Sequence, residues 1–165
     1  MLRRAPAFLA VLGLLAVVLS AAAGSRSATA TGRSLEATVV KVVDGDTIHV
    51  QLGGRVEKVR YIGVNAPEVH HPTRGQEPGG REAAALNRDL VGGREIRIEL
   101  DVQERDRYGR LLAYVWVGDL MVNAELVRRG YAQVMTVPPN VRHQALFLAL
   151  QREAREAGRG LWRKV

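Results

Sequence analysis

The sequence predicts a mainly β fold with helices, in the α+β class, from three observations. Short apolar runs rich in Val, Ile and Thr end at Gly or Asp turns, as β-strands do. Residues 94–102 alternate sharply: Ile96, Ile98 and Leu100 share one face and charged residues share the other, which is typical of a half-buried strand. Two segments rich in Ala, Leu and Arg stop at glycines, as helices do.

Three strands and a helix are predicted in the first half of the domain. The strands cover residues 35–43, 47–52 and 56–62. An Asp-Gly turn joins the first two, and a Gly-Gly hairpin connection joins the second to the third. A proline-containing loop follows, in which no helix could run far. A helix over 81–90 then ends before two glycines.

The second half is predicted to contain two strands, a short helix, an extended segment and a last helix. Their bounds are 94–102, 111–117, about 123–129, 131–137 and 141 to about 157. Asn140 is predicted to cap the last helix, because Asn side chains accept hydrogen bonds from free N–H groups at a helix start. Five strands interrupted by a helix indicate a small OB-type barrel with about three helices, although an unrelated α+β domain gives the same order.

Charge and cysteine content restrict the possible functions. The 165 residues include 24 Lys and Arg against 17 Asp and Glu, for a net charge of +7, and Arg far outnumbers Lys. Such a surplus favours partners with planar oxyanions, above all phosphates. The chain has no cysteine. Disulfide scaffolds, thiol nucleophiles, iron–sulfur clusters and Cys-based zinc sites are therefore excluded.

The first residues are predicted to be a cleavable signal peptide, over 1–23. Two arginines precede an apolar stretch, and the alanines at 21–23 offer an A-x-A cleavage pattern. An uncleaved membrane anchor is the alternative, but the stretch is shorter than the ~20 apolar residues that span a bilayer. Residues 24–34, rich in Ser, Thr, Ala and Gly, predict a flexible linker. The folded domain is then 35–165, and we expect it to be exported into a periplasm or the medium.

Three short clusters carry groups suited to phosphate chemistry. Asp44 and Asp46 flank a glycine, and on their own they form either a simple turn or a hard-cation site. The second cluster, Arg-Tyr-Ile-Gly-Val-Asn-Ala-Pro-Glu at 60–68, provides amide, carbonyl and carboxylate oxygens after the third strand. The third, Asp-Arg-Tyr-Gly-Arg at 106–110, combines guanidinium donors with an aromatic ring.

Together the clusters suit phosphodiester hydrolysis. That reaction moves negative charge onto the equatorial oxygens of a five-coordinate phosphorus, where guanidinium forks and a divalent cation stabilise it. Arg60 and Arg110 could donate to the phosphate. Asp46 and Asn65 could bind the cation, since both offer oxygen ligands. Glu68 could orient or deprotonate the attacking water.

In their order and spacing, the three clusters resemble the staphylococcal nuclease (thermonuclease) family. The segment at 121–130 also resembles the helix that follows in that family, so the resemblance covers nearly all of residues 36–162. It implies a five-stranded OB barrel with three helices and a Ca²⁺-dependent nuclease acting on DNA and RNA, single-stranded or locally opened. It implies no stable protein partner, and we expect a monomer.

The resemblance also assigns roles to residues that would contact the substrate. The implied catalytic residues are Arg60, Glu68 and Arg110, of which the two arginines would grip the scissile phosphate and Glu68 would act on the water. Arg107 and Tyr108 would contact the other phosphate of the nucleotide. Where the best-known family member has tyrosines beside the base, this chain has Thr-Val-Pro at 136–138, which predicts weaker stacking.

A calcium site is implied in the same way. Its ligands would be Asp46, Asn65 and the carbonyl of Ala66, with Asp44 behind them. Where the best-known family member has an aspartate, this chain has Asn65, so one negative charge is lost and weaker Ca²⁺ affinity is expected. The oxygen ligands suit Mg²⁺ and Mn²⁺ equally well.

Two other classes of protein compete with the nuclease. A noncatalytic OB module would bind oligonucleotides without cutting them, since fold does not determine function. The joint presence of Asp46, Arg60, Glu68 and Arg110 favours the enzyme, because a pure binder gains nothing from a carboxylate that repels phosphate. An envelope-anchored structural protein becomes the better interpretation only if the signal segment stays attached.

Overall fold

The fold follows from alternating strands and amphipathic helices, in a computed structural model that describes residues 33–69 and 75–163. The predicted signal peptide and nearly all of the predicted linker lie outside these residues. In chain order the elements are β1 (Ser34–Val42), β2 (Thr47–Leu52), β3 (Arg55–Tyr61), β4 (Val64–Asn65), α1 (Gly80–Val91), β5 (Glu95–Arg105), β6 (Leu111–Val117), β7 (Leu120–Met121), α2 (Val122–Arg128), β8 (Gln133–Val134), α3 (Gln144–Glu156) and a 3-10 turn at Gly160–Trp162.

Five long strands form a closed barrel. The sheet order is β3-β2-β1-β5-β6-β7, and β3 also pairs with β6 in parallel, which closes the sheet on itself. All other neighbours in the barrel pair antiparallel. Closure removes the free edges that an open sheet would expose. The predicted α+β class and the five-stranded OB-type barrel with three helices are confirmed.

The barrel core is filled by the apolar faces of the strands and helices. The apolar side predicted for β5 is confirmed, because Ile96, Ile98 and Leu100 are almost fully buried. On the charged side, Arg97 and Asp101 are partly buried, but Glu99 is buried and paired with Arg142. Phe147 from α3 and Leu126 from α2 complete the same core. Burying a side chain of this size stabilises a fold by roughly 1.5–3 kcal/mol. The core therefore fixes the strand ends from which the site residues project.

The β2–β3 connection shows why glycine occupies both turn positions. Gly53 and Gly54 have positive φ angles of 56° and 84°. A two-residue hairpin of this kind needs left-handed backbone at both central residues, and glycine adopts it without a Cβ clash. This tight connection sets the register in which Thr47 lies opposite Arg60. Asp46, which precedes Thr47, is thereby brought close to Arg60.

Two details of the prediction were wrong near the start of α3. The helix begins at Gln144, and Asn140 does not cap it. Its amide instead accepts a hydrogen bond from the Gln103 N–H and donates one to the Gln103 carbonyl, both at 2.8 Å, so the capping group is already used by β5. The segment at 131–137, predicted to be extended, contains the short strand β8, which pairs with β4.

At the amino end, β1 begins at Ser34, which is the last residue of the predicted linker. The pairing continues one residue further, since the Leu100 N–H donates to the Arg33 carbonyl at 2.9 Å. Within 33–69 and 75–163, no helix has the length and apolar character needed to cross a membrane.

Candidate active site

A cavity of about 580 Å³ lies where the β3 end meets the β5–β6 turn and the segment before α3. Six of the nine predicted site residues line it. They are Arg60, Asn65, Glu68, Arg107, Tyr108 and Arg110. The other three lie close behind its wall and are buried. They are Asp44, Asp46 and Ala66. The second and third clusters, which are far apart in sequence, thus share one cavity, and the first cluster lies behind it.

Arg60 forms the floor of the cavity and is almost saturated with hydrogen bonds. Its Nη1 donates to the carbonyls of Tyr61 and Val64, both at 2.7 Å. Nη2 donates to the Asn65 Oδ1 at 3.1 Å, and Nε lies 3.2 Å from the Asp46 Oδ1. Of the five N–H groups, one on Nη2 has no acceptor among the described residues. Only 10% of this side chain is exposed, so its position is fixed by its partners.

Asp46 is held from several sides. Its Oδ2 accepts the Ala66 N–H at 2.6 Å, and its Oδ1 accepts the Thr47 hydroxyl at 3.0 Å. Asp44 lies behind it and accepts the Asp46 N–H at 3.0 Å. A supporting role for Asp44 in the metal site stays a prediction. The predicted metal ligand at Ala66 is its carbonyl, whereas its contact with Asp46 is made by the backbone N–H.

The oxygen atoms of this region suit a divalent cation. Burial raises the pKa of the Asp46 carboxyl to about 7, and Asp44 adds to the rise, while Arg60 and two hydrogen bonds act against it. An additional positive charge would therefore stabilise the carboxylate. The Asp46 Oδ1 and the Asn65 Oδ1 both contact the Arg60 guanidinium, so these two oxygens lie near each other. The donor set fits a hard metal ion.

Asn65 changes the charge of that donor set. Within 33–69 and 75–163, no group of three or more His, Cys, Asp or Glu residues is placed to hold a metal. A site built from Asp46, Asn65 and the carbonyl of Ala66 carries a single carboxylate. Ligand charge is one of the main determinants of Ca²⁺ affinity. The expectation of weaker Ca²⁺ affinity than with an aspartate at this position stays a prediction.

Glu68 lies at the mouth of the cavity, on the segment that leaves β4. Its backbone N–H donates to the Glu77 Oε2 at 3.0 Å, and the Glu77 N–H donates to the Glu68 carbonyl at 2.9 Å. These reciprocal hydrogen bonds hold the backbone of Glu68 in place, although Glu68 is exposed. Glu68 lines the same cavity as Arg60 and Arg110.

The β5–β6 turn presents Arg110 in a different manner. The Asp106 Oδ1 accepts the N–H groups of Tyr108 and Arg110, at 2.9 and 3.0 Å, which closes the turn. The Asp106 Oδ2 then accepts the Arg110 Nε at 2.7 Å. Burial opposes the charge of Asp106, but these hydrogen bonds outweigh it and lower its pKa. Neither Nη atom of Arg110 has an acceptor among the described residues.

Arg107 and Tyr108 extend from the same turn. The Arg107 Nη2 donates to the Tyr108 hydroxyl at 2.6 Å, and the guanidinium carbon lies 4.8 Å from the centre of the tyrosine ring. Arg110 lies 5.6 Å from the same ring. Tyr108 is 68% exposed. The turn thus offers two cationic groups and one aromatic face to the solvent side of the cavity.

The buried group that supports the acidic residues was not predicted from the sequence. Asn87 on α1 is fully buried, donates to the Asp44 carbonyl at 2.8 Å and accepts the Tyr61 hydroxyl at 2.8 Å. A signal was present, since Asn87 lies four residues after Ala83 and four before Val91 on the buried stripe of α1. A polar residue on an apolar stripe needs buried partners.

One wall of the cavity was not predicted from the sequence either. Met135, Val137 and Leu112 provide its apolar part, and the Asn140–Gln103 pair holds that wall against β5. Two guanidinium groups, the exposed Glu68 and the oxygen-bearing side chains of Asp46 and Asn65 therefore lie close together. The model of the family described as "Staphylococcal nuclease homologue" matches residues 58–164, which include these groups except the first cluster.

The chain belongs to the staphylococcal nuclease family. Thermonuclease from Staphylococcus hyicus is 38% identical over 124 residues, which cover 75% of this chain and 73% of that protein. Thermonuclease from Staphylococcus intermedius is 37% identical over 126 residues, covering 76% and 75%. Endonuclease YncB from Bacillus subtilis (strain 168) is 36% identical over 129 residues, covering 77% and 61%. The family predicted from the three clusters is confirmed.

Proposed function

We propose that this protein is an exported, calcium-dependent nuclease that hydrolyses phosphodiester bonds of DNA and RNA without regard to the sugar. Membership of the staphylococcal nuclease family makes it a phosphodiester-hydrolysing nuclease whose substrates are nucleic acids. The observation that carries the finer proposal is the cavity, where Glu68 lies with Arg60 and Arg110. A site that only bound phosphate would be weakened by that carboxylate.

Arg110 is proposed to stabilise the charge that develops on phosphorus. Its Nε is held by Asp106, which orients the guanidinium and leaves both Nη atoms for the substrate. A fork of this kind matches two phosphate oxygens at once. Because negative charge increases on those oxygens in the transition state, the fork contributes more there than in the ground state.

Arg60 is proposed to contribute mainly as a fixed positive charge beside the phosphate. Its single N–H without a described acceptor can reach one phosphate oxygen, and its remaining donors are already used. A buried cation acts strongly because little water screens it. Its partners also prevent it from moving as the charge on phosphorus changes.

Glu68 is proposed to orient the attacking water and accept its proton. A carboxylate at the exposed mouth of the cavity can reach both solvent and the phosphate. Attack by water in line with the leaving oxygen then needs a proton acceptor on the water side. The two arginines face the phosphate, so the acid–base and charge-stabilising roles fall to different residues.

A divalent cation is proposed to bind at Asp46, Asn65 and the carbonyl of Ala66. When bound, it supplies positive charge that polarises the phosphate and stabilises the transition state. Calcium is proposed because of the family resemblance, and Mg²⁺ and Mn²⁺ suit the same oxygen ligands. Asp44 is proposed to support the site by fixing the backbone N–H of Asp46.

Substrate recognition is proposed to depend on phosphates rather than bases. Arg107 and Tyr108 would contact the second phosphate of the bound nucleotide, which single-stranded or locally opened nucleic acid can present. Phosphate contacts position a substrate without reading its sequence. The apolar wall of Met135 and Val137 offers no aromatic platform, so base preference is expected to be slight.

A noncatalytic OB module is the competing function, because the barrel and its basic surface would suit binding alone. Incubation of the purified protein with single-stranded DNA, first with Ca²⁺ and then with a chelator, separates the two functions. We expect degradation that stops in chelator and is nearly abolished in Glu68→Gln. Binding without degradation, in Ca²⁺, Mg²⁺ and Mn²⁺ alike, would favour the module.

Export rests on the signal-like residues 1–23. The mass of the protein recovered outside the cytoplasm shows whether this segment has been cleaved. A start at or close to Gly24 supports cleavage. A full-length mass in a membrane fraction would support an anchored protein instead.

A further inference from the structure

A second group of arginines lies outside the cavity, where α2 and α3 end. We call this surface the arginine face and define it by Arg128, Arg129, Arg155 and Arg159. All four are exposed, and none of them lines the cavity. None of the four has a role in the proposed catalysis, so their arrangement needs a separate explanation.

Two glycines bring these arginines together. Gly130 follows α2 and Gly160 begins the 3-10 turn after α3, and both have positive φ, at 76° and 52°. A Cβ on Gly130 would lie 2.3 Å from the Arg159 carbonyl, so only glycine permits this approach. The Leu161 N–H then donates to the Gly130 carbonyl at 2.9 Å. Two segments that are distant in sequence thus cross at backbone contact.

A single buried carboxylate orients the first two arginines. Glu125 is only 3% exposed, and it accepts the Arg128 Nε at 2.8 Å and Nη2 at 2.7 Å. The Arg129 Nε donates to the same carboxylate. Burial opposes the charge of Glu125, but the two arginines outweigh it and lower its pKa. Each arginine side chain remains half exposed, and the three charges sum to +1.

The other two arginines are oriented without any acidic partner. The Arg159 Nη1 donates to the Arg128 carbonyl at 3.1 Å, near the end of α2. The Arg155 guanidinium lies 4.3 Å from the ring centre of Trp162. Within 33–69 and 75–163, neither Arg155 nor Arg159 forms an ion pair, although α3, which carries Arg155, also carries Glu153 and Glu156. Their charges are therefore not neutralised by a neighbouring carboxylate.

We propose that the arginine face binds the phosphate backbone of the nucleic acid at a point outside the cavity. The proposal rests on nucleic acid being the substrate. The face combines four guanidinium groups with one paired carboxylate, that of Glu125, and each guanidinium is held by a contact with a neighbouring group. Planar forks of this kind match phosphate oxygens. A long strand would then be held at two places, and a short diester only at the cavity.

The experiment neutralises the two arginines that have no carboxylate partner, as Arg155→Gln with Arg159→Gln. This choice leaves Glu125 paired, because loss of Arg128 or Arg129 would expose a buried charge and endanger the fold. Binding of a labelled single-stranded oligonucleotide is measured by anisotropy against salt concentration, with chelator present to prevent cleavage. Two lost phosphate contacts should reduce the slope of log K against log salt by about 1.4.

The matched control removes the same total charge elsewhere, as Arg88→Gln with Arg94→Gln. Both residues are exposed, at the end of α1 and before β5, and neither lines the cavity. The control should keep the wild-type slope. Cleavage of a short chromogenic phosphodiester in Ca²⁺ should be unchanged in the Arg155/Arg159 variant, because that substrate reaches only the cavity. Circular dichroism and thermal unfolding verify the fold of both variants.

An unchanged slope in the Arg155/Arg159 variant would overturn the proposal. An equal loss of slope in the control would also overturn it, because the effect would then come from total charge. Loss of binding to phosphatidylglycerol–phosphatidylcholine vesicles with unchanged oligonucleotide binding would assign the face to a lipid surface instead. If the wild type cleaves no diester yet the slope falls as expected, the arginine face stands and the proposed nuclease mechanism fails.

Discussion

Arg60 and Arg110 share a cavity, but their surroundings differ. Arg60 is buried and uses all but one of its N–H groups on Asp46, Asn65 and two backbone carbonyls. The Arg110 side chain, on a partly exposed turn, donates through Nε to Asp106, and neither of its Nη atoms has an acceptor within 33–69 and 75–163. We propose that the difference separates two tasks: Arg60 holds the oxygen-rich loop together, and Arg110 grips the phosphate.

The largest effect is expected for Arg60→Ala, which should reduce both activity and stability. Loss of the guanidinium leaves Asp46 buried and unpaired, and breaking such a pair costs about 3–5 kcal/mol. Urea unfolding measures the free energy of unfolding, with Arg110→Ala as the comparison. An Arg60→Ala protein that is as stable as the Arg110→Ala protein would remove the distinction between the two arginines.

Glu68→Gln should reduce turnover of single-stranded DNA about 10²- to 10⁴-fold, because Gln cannot accept the proton of the water. The free energy of unfolding should change little, since the residue is exposed. Initial rates at saturating Ca²⁺ measure the first effect, and urea unfolding the second. Wild-type turnover in this variant would exclude Glu68 from proton transfer.

Arg110→Ala should reduce turnover about 10²- to 10³-fold, as removal of one charge-stabilising donor does. Its stability should fall by less than about 1 kcal/mol, because the Asp106 pair lies near the solvent. The same two assays apply. A large loss of stability with little loss of turnover would reverse the tasks assigned to the two arginines.

Asn65→Asp should give the smallest effect, a lower Ca²⁺ concentration for half-maximal activity. A second carboxylate in the donor set strengthens attraction for the ion. Gln51→Glu, an exposed position outside the cavity, controls for the added charge. Equal half-maximal Ca²⁺ in wild type and Asn65→Asp would refute a ligand role for this position.

The sequence predicted the order of the main strands and helices because these depend on local patterns. The alternation of β5 and the paired glycines of the β2–β3 turn each act within a few residues. The family resemblance also selected six residues that line one cavity. These predictions needed no knowledge of which segments lie together in space.

The rest depends on partners that are distant along the chain. Asn140 satisfies the backbone of Gln103 rather than a helix start, and no local pattern distinguishes those uses. The support of Asp44 by Asn87 spans 43 residues. Burial of Arg60 likewise depends on how β3 and β4 fold around it. It was not predictable from the sequence, because arginine side chains are usually exposed.

The central claim is that the cation and the two arginines act on the same phosphate. The most direct test is the affinity of the Glu68→Gln protein for a single-stranded oligonucleotide, measured with Ca²⁺ and with chelator at equal ionic strength. If cation and phosphate are neighbours, Ca²⁺ should tighten binding by about 5- to 150-fold, the usual range of coupling between two bound ligands. The same affinity in both conditions would contradict the account.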